Sequence, residues 1–113
     1  MVIPSEDEEQ MLFVQWFRRT YTQRIYAVPN GGARHPAVAM KMKATGTTPG
    51  IPDLHVPAWN LWIEMKRQKG GRLSPHQQDW IEYLEGIGHT VIIGYGFEDA
   101  CAKVQQLGKT PIK

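Results

Sequence analysis

Asp53 and Glu64 stand eleven positions apart, and Lys66 follows Glu64 by two, in Gly50-Ile-Pro-Asp53 and Leu61-Trp-Ile-Glu64-Met-Lys66. These residue types at this spacing suit hydrolysis of phosphodiesters with a divalent metal. Such a reaction needs an ion to polarise the phosphoryl oxygen and to lower the pKa of the attacking water. Mg²⁺ accepts one or two carboxylates and keeps several waters, so Asp53 and Glu64 suffice as side-chain ligands, and the carbonyl of Met65 can add a third donor. Lys66 can orient the water or stabilise the negative charge that develops. The plainer alternative has Asp53 ending a turn and Glu64 pairing with Lys66 across an exposed strand face.

Strand geometry permits the first reading and leaves the second open. Side chains alternate across a strand, so Glu64 and Lys66 share one face of the 61–66 stretch. Leu61, Ile63 and Met65 share the other, which can enter a core. A carboxylate and an ammonium on a mostly buried strand are costly unless each has a partner or a task.

The elements around this strand can be read from local chemistry. Ser5 and Glu8 have capping-box spacing, and acids in the first turn suit the helix dipole. Leu12, Phe13, Trp16 and Phe17 continue an apolar stripe at helical period, predicting a helix to about Tyr21. Ile25–Val28 is a strand candidate ended by Pro29-Asn30-Gly31-Gly32, and His35–Ala44 a short helix. Residues 46–52 carry strong turn chemistry. Asp53–Val56 and Leu61–Lys66 read as two strands joined by a turn at 57–60. A second capping box, Ser74-Pro75-His76-Gln77, opens a helix with Trp80, Ile81, Leu84 and Ile87 as its stripe and Pro75 at the first helical position. Thr90–Tyr95 is a continuous apolar run, expected to be a central strand covered on both faces. Phe97, Ala100, Cys101, Val104 and Leu107 mark a last amphipathic helix closed at Gly108. A mixed sheet flanked by helices is the economical arrangement.

The chain's 113 residues predict a single domain over 1–113, with a core from about 5 to 107. Apolar residues make up 42% and charged residues 21%, which suits a globular fold, and with no low-complexity tract or internal repeat neither a disordered chain nor a solenoid is expected. No apolar run approaches the roughly 18 residues needed to span a bilayer. The acidic N-terminus has no signal-peptide pattern. One cysteine, Cys101, excludes an internal disulfide and fits a reducing cytoplasm. A net charge of +2 does not by itself imply nucleic acid. Its distribution is more telling, since four acids fall in the first nine residues and the middle of the chain is basic.

Three stretches in order, Gly46-x-x-x-Gly50-Ile-Pro-Asp53-Leu, Ile63-Glu-Met-Lys66-Arg67 and Leu73-Ser-Pro-x-Gln77-x-x-Trp80-Ile, resemble the virus-type replication-repair nuclease (VRR-NUC) domain. That family belongs to the PD-(D/E)xK nuclease superfamily, written here as Pro52-Asp53 and Glu64-Met65-Lys66. The resemblance covers about residues 5 to 95. It implies an α/β, restriction-endonuclease-like core of αβββαβ type, Mg²⁺ or Mn²⁺ dependence, and DNA cleavage. Stand-alone phage and bacterial members are associated with homodimers acting on branched DNA such as Holliday junctions. The expected setting is the cytoplasm, that of the host cell for a phage-encoded protein, with no membrane partner. The competing readings are a flap, nicking or restriction-like nuclease, a DNA-binding module that has lost activity, and a protein-interaction subunit.

The resemblance also implies a metal-site glutamate on the first helix and a site glutamine on the second main helix. Glu8-Glu9-Gln10-Met11-Leu12 offers two candidates for the first. Glu8 is the natural partner of Ser5 in the capping box, and Glu9 lies on the sheet-facing stripe before Phe13 and Trp16, so Glu9 is the choice; a solvated first turn is the alternative. Gln77 fills the second role, although its place in the Ser74 box could account for it alone. Arg34, Lys41, Lys43, Arg67, Lys69 and Arg72 flank the motif as candidate phosphate contacts, which position DNA without reading its sequence. Asn30, before two glycines, joins them as a site of close approach by a DNA strand. His35, His55, His76 and His89 have no metal-ligand spacing. Trp59 is the tryptophan best placed to stack on a base.

Overall fold

The structure, a computed structural model, describes residues 2–29 and 35–111. Helix α1, Glu6–Thr20, is opened by the full Ser5–Glu8 capping box. Strand β1 is only Tyr26–Ala27, shorter than the apolar run around it. Helix α2 is Pro36–Ala44, with His35 capping its start through Nδ1. Strand β2, Leu54–Val56, is joined to β3, Leu61–Lys66, by a 3₁₀ turn at Pro57–Trp59. Helix α3, Pro75–Gly86, starts at the Ser74–Gln77 box; β4, Thr90–Tyr95, and α4, Phe97–Gln105, complete the chain.

Four strands form one mixed sheet in the order β1-β2-β3-β4. The first three are antiparallel, and β4 runs parallel to β3. Parallel neighbours need a long crossover, which α3 supplies. Here the structure corrects an expectation from the sequence: β4 is an edge strand, and the central strands are β2 and β3. β4 reads like a central strand because α4 and α3 pack against it.

The apolar face of the sheet carries Leu54, Val56, Leu61, Ile63, Met65 and Ile92, all buried in one core with Phe13 and Phe17 of α1 and Ala100, Cys101 and Val104 of α4. Aromatic rings tie the bottom of α1 to this core. Phe17, Tyr21 and Trp59 meet one another at 4.9 to 5.6 Å between centroids. Trp59 is partly buried by these ring neighbours, and Lys109 Nζ lies 5.4 Å from its ring centroid. Helix α3 crosses the opposite face, burying Ile81 and Leu84. Gly50 anchors the preceding loop there: its φ is +93°, and a Cβ would lie 2.6 Å from the His76 carbonyl carbon.

Helix α2 contrasts with the rest, for none of its residues is buried. Among the described residues, no helix is long and apolar enough to cross a membrane.

Candidate active site

Strand β3 does at the site what its alternation requires. Leu61, Ile63 and Met65 face the core, so Glu64 and Lys66 point to the other side, where the N-terminal turn of α3 lies over them. Both are buried, at 1% and 7% exposure. Glu64 therefore has to be satisfied by protein groups or carry an unfavourable charge.

Gln77 provides most of that satisfaction. Its Nε2 donates to Glu64 Oε2 at 3.1 Å, and its Oε1 accepts from Lys66 Nζ at 2.9 Å. The same Oε1 accepts from the backbone N–H of Ser74 at 2.8 Å, closing the capping box. The helix cap and the site contact, two explanations for one glutamine in the sequence, are both present in one side chain. Lys66 Nζ stands 3.9 Å from Glu64 Oε2, a loose ion pair compared with its bond to Gln77.

Asp53 reaches the same place from the head of β2. The β2–β3 ladder ends with Leu54 opposite Ile63. Beyond it the Met65 N–H donates to Asp53 Oδ2 at 2.8 Å instead of to a strand. The N–H and C=O of one strand residue point to the same edge, so the Met65 carbonyl is turned towards the Asp53 side. The Asp53 carbonyl accepts from Val28 N at 2.8 Å, fixing the head of β2 from its other flank.

One oxygen remains without a donor. Glu64 Oε1 is buried and takes no donor from the protein. Burial is the main force that pushes the Glu64 carboxyl from its usual 4.5 up to about 9; the Asp53 charge, a hydrogen bond that the protonated form gives to Asp53, and the charge of Glu6 add to it, against the pull of Lys66. Burial beside a second acid favours either a retained proton or a bound cation at this position.

Glu9 does not join this cluster. Its Oε1 accepts from Phe97 N at 3.0 Å and its Oε2 from Gln68 Nε2 at 2.9 Å, so both oxygens are committed elsewhere. Glu8 is at the surface, bonded to Ser5. The α1 acid whose charge reaches Glu64 is Glu6, which the sequence reading passed over. The available signal was its position one turn before Glu9 on the stripe that continues to Phe13. Among the described residues, no three His, Cys, Asp or Glu side chains are gathered closely enough to hold a metal.

Of the candidate DNA contacts, Lys41 and Lys43 are exposed on α2, and Arg67, Lys69 and Arg72 are exposed on the loop between β3 and α3. Asn30 and Arg34 lie outside the described residues. His55, on the site face, is occupied by packing: it stacks on Trp62 at 3.8 Å, and its Nδ1 bonds Tyr26 Oη at 2.7 Å. Trp62 Nε1 in turn donates to His89 Nδ1 at 2.9 Å.

No protein-family model matches the sequence, and no curated protein matches it. A solved structure described as a "VRR_NUC domain protein" superposes with a TM-score of 0.77 over 94% of this chain and 89% of that one, at 26% identity.

Proposed function

From a chain that carries a VRR-NUC domain on a restriction-endonuclease-like α/β fold, we propose that this protein is a metal-dependent DNA endonuclease, with Asp53, Glu64 and Lys66 as its cleavage centre. The observation that carries this reading is the buried Glu64 Oε1, with no donor from the protein, beside Asp53 and Lys66. An oxygen enclosed without a donor is costly, and a cation that takes its lone pair removes that cost. The donor set fits Mg²⁺ or Mn²⁺: the carboxylates of Asp53 and Glu64 with the Met65 carbonyl are few, hard oxygens, and such ions retain water in the remaining positions. Glu6 is the α1 acid that deepens the negative field there, and Glu9 serves elsewhere.

When bound, the ion supplies Lewis-acid activation of the phosphoryl group and of a water. The chain's own groups supply the rest. Lys66, steered by Gln77, orients the attacking water and stabilises charge on the phosphoryl oxygens. The bond from water oxygen to phosphorus forms as the bond to the leaving sugar oxygen breaks; the water's proton passes to solvent, and the leaving oxygen takes a proton from solvent to become a hydroxyl. Gln77 holds the Glu64 and Lys66 ends together, so neither drifts during that exchange. Lys41, Lys43, Arg67, Lys69 and Arg72, with Arg34 and Asn30, contact phosphates without reading bases.

The substrate best suited to such recognition is branched DNA, cut as a Holliday junction by a homodimer whose two-fold axis matches that of the junction. A panel of a four-way junction, a flap, a nicked duplex and a plain duplex tests this, alongside sedimentation of the protein. Paired symmetric cuts in the junction by a dimer support resolution. Cuts confined to the flap or nick reassign the substrate, and tight binding without any cut in Mg²⁺ or Mn²⁺ favours an inactive DNA-binding module.

A further inference from the structure

Glu9 is a buried carboxylate, 2% exposed, that the cleavage chemistry does not use. Its two oxygens accept from segments far apart in the chain. Oε1 takes the N–H of Phe97, the first residue of α4, and Oε2 takes Nε2 of Gln68, just past the end of β3. A third bond joins those two segments directly, for the Gly96 N–H donates to the Lys66 carbonyl at 2.9 Å. The result is a closed circuit running from Glu9 to Phe97 and Gly96, across to Lys66, along to Gln68 and back to Glu9. It is tightly built: Gly96 has φ +94°, and a Cβ there would lie 2.6 Å from Gln68 Cγ and 2.8 Å from Glu9 Oε2.

Lys66 is where the circuit meets the site. It is the last residue of β3, and its side chain is long and flexible. Gln77 fixes the ammonium tip at 2.9 Å. The root of the side chain is fixed from the other side of the sheet, by the bond from Gly96 and the bracket that Glu9 places around it. We infer that Glu9 is a positioning residue: it locks α1, the end of β3 and the start of α4 together so that the Lys66 ammonium is held beside Glu64. This rests on Lys66 belonging to the cleavage centre, and it requires no metal at Glu9.

The circuit predicts a rescue. In Gln68→Glu the Oε2 of Glu9 meets a second carboxylate in place of its donor, so that bond is lost and the two acids repel. In Glu9→Gln/Gln68→Glu the new amide oxygen accepts from Phe97, and its NH₂ donates to the new carboxylate, which restores both bonds. On DNA that the wild type cuts, at a temperature where all forms are folded, the single variant is expected to lose about tenfold in kcat through misplacement of Lys66. KM and the Mg²⁺ concentration for half-maximal rate should stay unchanged, and the double variant should return close to wild type. Exchange of the Phe97 amide, followed by NMR, should speed up in the single variant and slow again in the double. A single variant with wild-type kcat overturns the inference. So does a raised Mg²⁺ requirement without rescue, which would make Glu9 a ligand. If the wild type cuts no DNA while its Phe97 amide is protected, the nuclease reading has failed and Glu9 keeps only a scaffold role.

Discussion

Helices α1 and α3 begin with the same device. Ser5 Oγ accepts from Glu8 N and Glu8 Oε1 accepts from Ser5 N; Ser74 Oγ accepts from Gln77 N and Gln77 Oε1 accepts from Ser74 N. The two boxes differ in what lies beyond them. Glu8 ends at the surface, where its bonds to Ser5 hold its carboxyl below the usual 4.5 and nothing further is asked of it. Gln77 ends above the polar face of β3, where the same oxygen also takes Lys66 and the amide nitrogen serves Glu64. The lesson lies in the choice between acid and amide. A carboxylate closes a helix as well as an amide does, but only the amide carries both a donor and an acceptor. Between a buried carboxylate and a buried ammonium, that duality is what the position needs.

Making the two boxes alike should have the largest effect. Gln77→Glu keeps the cap but removes the N–H donor to Glu64 and sets a carboxylate against it, which repels Glu64 once metal binding has displaced its proton. DNA cleavage is expected to fall about a hundredfold, a loss of the size seen when one preorganised donor is removed, while far-UV helix content stays unchanged. The mirror change, Glu8→Gln, should leave cleavage at the wild-type rate. Equal losses from both would mean that the α3 box acts only through helix stability.

A smaller effect should appear in stability. The folded Glu64 holds its proton up to about pH 9, whereas the unfolded chain releases it near 4.5. Below 4.5 both states are protonated and the contribution is complete. As pH rises from there towards 9 the folded state retains the proton and stability is progressively lost. Glu64→Gln mimics the protonated form and removes that loss. Without added metal its Tm should exceed that of the wild type by about 4 °C or more near pH 8, with the gap narrowing towards pH 5. Mg²⁺ should then raise the wild-type Tm and leave the variant unmoved. A gap that does not vary with pH would contradict the burial argument.

The smallest difference concerns the serines. Ser5→Ala and Ser74→Ala should each cost about 1 kcal/mol in urea unfolding. Only Ser74→Ala should also slow cleavage, by several-fold, because it loosens the turn that aims Gln77. Parallel effects on rate would erase the distinction between the two helices.

Much of this arrangement is legible in the chain because its signals are local. The bounds of β3 follow from alternation, both capping boxes from residues three apart, and the meeting of Glu64 with Lys66 from strand geometry alone. The position of β4 was not legible, because packing by α3 and α4 makes an edge strand as apolar as a central one. Glu9 shows the limit most clearly. Its stripe position announces burial, but its partners, Phe97 and Gln68, lie 88 and 59 residues away, and helical period carries no information about them. Gln77 failed to declare itself for a different reason: one oxygen serves the cap and Lys66 together, so neither reading excluded the other.

The central claim is that Asp53, Glu64 and Lys66 form a metal-dependent cleavage centre. It is tested most directly by single-turnover cleavage of an end-labelled four-way junction in Mg²⁺ and in EDTA, with the wild type and Glu64→Ala compared at equal folded concentration. Cutting is expected from the wild type in Mg²⁺ alone and from the variant in neither condition. A Glu64→Ala protein that cuts as fast as the wild type, or a wild type that cuts equally well in EDTA, would contradict it.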